Sequence, residues 1–140
     1  MDRKLKESIA KATKALGNSL PVLTGIVLLI GLINTIIPKT IYSTLFSNNV
    51  LLDPIIGSGL GSILTGNPIT SYVLGGEILL QGVSLIAVTA FIVSWVTVGF
   101  IQLPAEATLL GKKFAIARNI LSFIFSIIVA IATVFIINII

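Results

Sequence analysis

The stretch GSGLGSILTGNPITSYVLGG, from Gly57 to Gly76, interrupts a chain that is otherwise mostly apolar. It contains six glycines, one proline and six serine, threonine and asparagine residues. Glycine and proline weaken helices, and polar groups are costly in hydrocarbon, so a lipid-facing helix is not expected here. Non-helical backbone persists at membrane depth only where protein buries it or where it lines a watery cavity. We therefore expect a helical hairpin at about residues 54–80, with Thr65-Gly66-Asn67-Pro68 as its tip.

The composition indicates a membrane protein. The 140 residues are 56% hydrophobic and 10% charged, whereas soluble domains carry about 25% charged residues. We expect an all-α, polytopic integral membrane protein, with room for about three to five crossings. The absence of His and Cys removes disulfides, imidazole or thiolate metal sites and Ser-His-Asp chemistry. No catalytic site, metal, cofactor or nucleic-acid partner is therefore expected.

Three full transmembrane helices are predicted beside the hairpin, within a membrane domain at residues 18–140. They lie at about residues 20–37, 83–103 and 120–140. As helices, the hairpin arms at 54–64 and 69–80 would be about 16–18 Å long. A hydrocarbon core is about 30 Å thick, so two half-depth arms of a re-entrant hairpin fit better than two full spans. Two tightly packed full spans would also return the chain to the side of the membrane where it started, so they remain an alternative.

Basic residues at two places set the expected orientation. Residues 1–17 form a predicted amphipathic helix with a net charge of +3, from five Lys and Arg against two Asp and Glu. It either lies on the cytoplasmic face against anionic lipid or is a solvated tail. The predicted loop at 104–119 is also basic. Because positive loops stay inside, we expect an inner-membrane protein with its N-terminus cytoplasmic and its C-terminus outside.

The first candidate site combines the hairpin tip with a carboxylate that follows it. At membrane depth the ionised form of Glu77 is disfavoured, which suits a proton carrier or cation ligand. Gln81 lies one helical turn further on and is expected to share its polar cluster. The tip would hold a small-molecule or ion substrate at the end of a half-helix. Its candidate residues are Thr65, Gly66, Asn67, Pro68, Thr70 and Ser71. Alternatively, Glu77 lies in the headgroup region and the tip is an ordinary turn.

Two further patterns have structural alternatives. Gly57 and Gly61 form a GxxxG pair, which lets helices approach closely. In the loop, Pro104 is expected to end a helix, and charged residues follow it. These residues are Glu106, Lys112, Lys113 and Arg118. They form either an interfacial network that holds the loop or a cytoplasmic gate.

Several short motifs together resemble one known family. They are the glycine-rich run into Asn67-Pro68-Ile69, Gly75-Gly76-Glu77, Trp95, Leu103-Pro104-Ala105-Glu106, Gly111-Lys112-Lys113-Phe114 and Arg118-Asn119. Over residues 20–138 the chain resembles the predicted-permease family that includes the ArsP-like organoarsenical efflux permeases. The resemblance implies a permease of small solutes with a site around Asn67, Pro68 and Glu77. Its usual members are about twice as long with two related halves, so this chain resembles one half.

The expected function is therefore a half-size permease that works in the lipid bilayer as a homodimer or higher homo-oligomer. The charge bias favours parallel protomers. Without Cys, thiolate binding of trivalent arsenic is not expected, so the substrate is left open. The alternatives are a small structural or assembly subunit, in which the glycines serve only packing, and a channel-forming protein. An enzyme is not expected.

Overall fold

The computed structural model describes residues 3–36, 41, 44–64 and 68–140, and this part of the chain is helical without a strand. The expectation of an all-α fold is confirmed. Residues 41, 44 and 45 are helical as well. The six longer elements are α1 (Arg3–Ile36), α2 (Leu52–Ile63), α3 (Pro68–Leu80), α4 (Leu85–Thr97), α5 (Leu103–Leu109) and α6 (Lys112–Ile137).

The chain divides into two compact units, residues 1–37 and residues 38–140. The first unit is α1, a continuous helix of 34 residues. It joins the predicted amphipathic helix to the predicted first span, so the expected boundary near residue 17 is not a helix end. Pro21 lies inside α1 and does not open a helix. Hydroxyl groups of Ser19 and Thr24 donate to carbonyls one turn back, at 3.0 and 2.9 Å, on either side of this proline.

In the second unit, α4 is the central helix. The hairpin arms α2 and α3 both pack against α4, and they pack on it more than on each other. Helix α6 contacts both α2 and α4, and α5 lies against α6. Helix α4 suits this position because apolar or small residues cover most of its surface. Its buried residues are Ile86, Ala87, Val88, Ala90, Phe91, Ser94 and Trp95.

Glycines let α2 approach the backbone of α4. A Cβ added to Gly57 would lie 2.9 Å from the carbonyl carbon of Ala87, and one added to Gly61 would lie 3.1 Å from that of Phe91. Real Cβ atoms need more room, so these glycines fix the distance between the two helices. One residue along, the buried hydroxyl groups of Ser58 and Ser126 are 2.8 Å apart and join α2 to α6. The GxxxG pair is therefore a packing surface in this structure.

The predicted full span at 83–103 is wrong. Helix α4 ends at Thr97, and its 13 residues give a length of about 20 Å, short of a ~30 Å hydrocarbon core. Val98 is extended (φ −99°, ψ 118°), and the N–H of Gly99 donates to Oδ1 of Asn119 at 2.9 Å. A side chain of α6 thus replaces the helical acceptor that Gly99 would otherwise use. This exchange permits the chain to leave the helix while its backbone donor stays bonded.

The predicted loop at 104–119 is largely helical. Pro104 lies in the first turn of α5, where a missing N–H costs nothing, so the expectation that it ends a helix is wrong. Gly111, with φ of 91°, separates α5 from α6. Helix α6 then contains most of the predicted last span at 120–140. Among the described helices, α6 alone is long and apolar enough to cross a membrane.

Candidate functional site

The predicted hairpin tip is only partly visible. Thr65, Gly66 and Asn67 lie outside the described residues. Pro68 is exposed at the first position of α3, and Thr70 is half-buried. Ser71 is fully buried, and its hydroxyl group donates to the carbonyl of Pro68 at 2.7 Å. The proton of this hydroxyl is therefore used within the first turn of α3, although its oxygen still has acceptor capacity.

Glu77 and Gln81 form the pair that their spacing suggests. The side-chain amide of Gln81 donates to Oε1 of Glu77 at 3.3 Å, and both side chains are half-buried. Glu77 lies nine residues after Pro68, which is roughly 14 Å along the helix axis. The structure therefore places the carboxylate and the start of α3 at opposite ends of one helix. Among the described residues, Pro68 and Glu77 are therefore not brought together.

A polar cavity of about 170 Å³ lies instead where α4 stops, beside the start of α3. Tryptophan, glutamine and arginine side chains line it together with the backbone that follows α4. The lining residues are Pro68, Trp95, Val96, Thr97, Val98, Gly99, Gln102 and Arg118. Of the residues expected at the tip, Pro68 is the one that the structure places here. This cavity brings the start of one short helix to the end of another.

Trp95 is the most unusual group in the cavity lining. Its side chain is 7% exposed, and its ring packs edge-on against Phe91 with centroids 5.4 Å apart at 64°. Its buried Nε1–H has no hydrogen-bond partner in the described part of the chain. An unpaired buried donor costs about 1–3 kcal/mol, and such groups are rare. A donor of this kind at a cavity is suited to an acceptor atom from outside the chain.

Arg118 is held at the cavity by Glu106. Its Nε and one terminal nitrogen donate to the two carboxylate oxygens of Glu106, at 2.9 and 2.5 Å. The other terminal nitrogen donates to the carbonyl of Thr97 at 3.4 Å. A two-pronged pair of this kind fixes both the position and the plane of the guanidinium group. The pair thereby connects α5 and α6 to the last residue of α4.

Asn119 completes this polar network and was not among the expected site residues. Its amide nitrogen donates to the carbonyl of Ala115 at 3.0 Å and to Glu106 at 3.4 Å, while its oxygen accepts from Gly99. The sequence offered one signal, since Asn119 directly follows Arg118. Lys112 and Lys113, which we expected in the network, are exposed at the start of α6.

Asp53 is a buried carboxylate in the first turn of α2. It is fully buried, accepts a hydrogen bond from the backbone N–H of Ser47 at 3.1 Å, and accepts another from the hydroxyl of Ser84. These bonds tie the segment before α2 to the first residue before α4. Both oxygens have protein partners, which indicates a structural role. Among the described residues, no group of three His, Cys, Asp or Glu side chains is placed to hold a metal ion.

Comparison with known proteins identifies no relative for this chain. No protein-family model, curated protein or solved structure matches it.

Proposed function

We propose that this chain is a multi-pass membrane protein that acts as half of a permease for a small solute, with the solute site at the polar cavity beside Pro68. The observation that carries the proposal is the end of α4 at Thr97, inside a stretch whose composition is that of a membrane span. Interrupted helices whose ends meet at a polar site are a feature of many transporters, because freed backbone groups and helix dipoles can then contact the solute.

Three features of the helices support a membrane location for the whole domain. Helix α6 has the length and composition of a span. The second unit exposes large apolar side chains, among them Ile128, Phe135 and Leu80, which water would not favour. The short helices α2, α3 and α4 cannot each reach across a bilayer, so they fit a bundle of half-depth elements that other helices enclose. The C-terminal part of α1 supplies a further apolar stretch, at residues 20–36.

A single copy offers few helices with which to surround a pathway. We therefore propose a parallel homodimer or higher homo-oligomer, in agreement with the resemblance to one half of a larger permease. The basic start of α1 and the basic start of α6 would both face the cytoplasm. In that orientation the cavity lies toward the cytoplasmic side, since Arg118 and Gln102 stand near the start of α6 and the start of α5.

Two cysteine variants test this proposal, because the chain has no native Cys. Gln102→Cys places a thiol at the cavity, and Ile128→Cys places one on α6 where the side chain is 51% exposed in the isolated chain. A membrane-impermeant maleimide is expected to label position 102 in inverted vesicles and to leave position 128 unlabelled from either side. Labelling of both positions from the same side would contradict a membrane location for α6. No labelling at position 102, in folded protein, would contradict a wet cavity.

The second candidate is a small structural subunit, and one observation favours it. Gly57 and Gly61 of α2 lie against the α4 backbone, as they would in a protein built only for helix packing. Purified protein in phosphatidylcholine vesicles distinguishes the two functions. A permease is expected to increase the flux of at least one small solute above that of protein-free vesicles, with acetate, phosphate, urea and glycerol as the panel. No increase for any of them would favour the structural subunit.

A further inference from the structure

We infer that the cavity beside the end of α4 binds a small anion with oxygen acceptors, a carboxylate or an inorganic oxyanion, through Trp95, Gln102 and Arg118. This inference names the substrate class of the site proposed above and rests on that function. It comes from three properties of the cavity: its charge, its hydrogen-bond donors and the space that Gly99 leaves.

Arg118 and Glu106 form a neutral ion pair, and the guanidinium group is the member of the pair that faces the cavity. Among the described residues that line the cavity, Arg118 is the ionised side chain and none carries a carboxylate. Glu106 neutralises the guanidinium group from the other side, where it bonds Nε and one terminal nitrogen. A cation in the cavity would meet the guanidinium group with no acidic side chain in the lining to offset it. An anion would share Arg118 with Glu106.

The polar side chains of the lining offer mainly hydrogen-bond donors. The indole N–H of Trp95 can only donate and is unpaired among the described residues. Arginine has five N–H donors and no acceptor, and the described bonds of Arg118 use three of them. The amide of Gln102 adds donors as well as an acceptor. A ligand that accepts from these groups satisfies them, whereas a ligand that only donates would leave the indole N–H unpaired.

Gly99 keeps the space between two of these groups open. A Cβ at this position would lie 3.1 Å from Oε1 of Gln102 and 3.4 Å from a terminal nitrogen of Arg118. The cavity volume of about 170 Å³ accommodates an ion of a few non-hydrogen atoms. Acetate and phosphate therefore fit this cavity better than a large organic anion does.

Trp95 is the only tryptophan in the chain, so its fluorescence reports on the cavity without a label. The experiment measures quenching of the full-length protein by iodide in detergent micelles, with ionic strength held constant by sodium chloride. Acetate is expected to protect Trp95 from iodide in a saturable manner, and acetamide, its neutral counterpart of similar shape, is not. Phosphate is the second anionic probe. Equal protection by acetamide, or no protection by acetate and phosphate, would overturn the inference.

Matched variants connect the protection to the cavity. Gln102→Leu removes one donor and is expected to raise the acetate concentration for half-protection by about 3- to 10-fold. Asn138→Leu removes an amide side chain at the C-terminal end of α6 and is expected to leave that concentration unchanged. Gly99→Ala introduces a methyl group between Gln102 and Arg118 and is expected to weaken acetate binding to a similar extent. An unchanged half-protection concentration in both cavity variants would contradict the assignment of the site.

Lipid headgroups carry the same anionic oxygens, and the source is distinguished by repeating the quenching in nanodiscs. Protection in phosphatidylglycerol nanodiscs without acetate, and not in phosphatidylcholine nanodiscs, would assign the site to a headgroup phosphate. Protection by acetate in phosphatidylcholine would assign it to a soluble anion. The transport assay separates this inference from the proposed function. Acetate protection without flux would support the anion site and contradict the permease function. Flux of urea or glycerol without acetate protection would support the permease and contradict the anion site.

Discussion

The close approach of α2 to the α4 backbone supports a quantitative prediction about Gly57. In Gly57→Ala the new Cβ would lie 2.9 Å from the carbonyl carbon of Ala87 and 3.2 Å from its Cα, with the carbonyl oxygen nearer still. Carbon atoms in contact are about 3.5–4.0 Å apart, so α2 has to move away from α4 by roughly 0.5–1 Å. The obstacle is backbone, which cannot rotate aside as a side chain does.

The expected loss follows from two effects. Overpacking of this kind costs about 1–3 kcal/mol. The same movement lengthens the buried bond between Ser58 and Ser126, which contributes about 0.5–1.5 kcal/mol. Gly59→Ala is the matched control, because Gly59 is on the same helix and nothing lies within 4 Å of its added Cβ. The gain in helix propensity is common to both variants. Gly57→Ala is therefore expected to be less stable than Gly59→Ala by about 1.5–4.5 kcal/mol.

The free energy of unfolding is measured by titrating the protein in mild-detergent micelles with sodium dodecyl sulfate and following helix content by circular dichroism. Gly61→Ala repeats the test one turn along the same face, where the obstacle is the carbonyl group of Phe91. Ordinary surface substitutions change the free energy of unfolding by up to about 0.5 kcal/mol. If the free energies of unfolding of Gly57→Ala and Gly59→Ala differ by no more than this, close packing of α2 on α4 would be refuted.

Three further changes test the polar contacts, with the same unfolding titration as the measurement. Glu106→Gln is expected to lower the free energy of unfolding by about 1.5–3 kcal/mol, because it removes a charge-assisted pair whose two side chains are 19% and 33% exposed. A double-mutant cycle with Ser58→Ala and Ser126→Ala is expected to give a coupling energy of about 0.5–1.5 kcal/mol, from their buried hydroxyl contact. Asp53→Ala is expected to cost about 2–4 kcal/mol, because it leaves the backbone N–H of Ser47 and the hydroxyl of Ser84 without their acceptor.

Two of these changes have a matched control. Lys112→Ala alters an exposed charge at the start of α6 and is expected to change stability by less than about 0.5 kcal/mol. Asp53→Asn retains one acceptor and supplies a donor, so it is expected to lose less than Asp53→Ala. An equal loss for these two variants would contradict a hydrogen-bonding role for the carboxylate. A coupling energy of zero between Ser58 and Ser126 would show that their hydroxyl groups do not interact.

Local sequence signals located the short helices well. The run around Thr65-Gly66-Asn67-Pro68 indicated two short arms, and α2 and α3 lie within two residues of the predicted limits. Proline at the start of α3 and glycines at close contacts act through the backbone geometry that each residue type allows. Their effects can therefore be predicted from the sequence. The spacing of Glu77 and Gln81 likewise predicted their contact, since residues four apart share a helix face.

The end of α4 was not predictable from its own residues. Val83 to Leu103 is as apolar as a membrane span, and Gly99 alone does not end a helix. The interruption depends on Asn119, twenty residues later, whose side chain takes the N–H of Gly99 as α6 packs beside α4. The cavity has the same origin, because it requires Pro68, Trp95, Gln102 and Arg118 to meet from four separate parts of the chain.

By itself, the amino-acid sequence determined the helical class, the apolar character, the absence of His and Cys chemistry, and the short arms on either side of the hairpin tip. Each of these depends on composition or on residues a few positions apart. The tertiary structure decided that the glycines face α4, that Glu77 lies far from the start of α3, and that a polar cavity forms where α4 ends. These features depend on contacts between residues distant in sequence, and hydrophobic periodicity gives no information about which helix a face will meet.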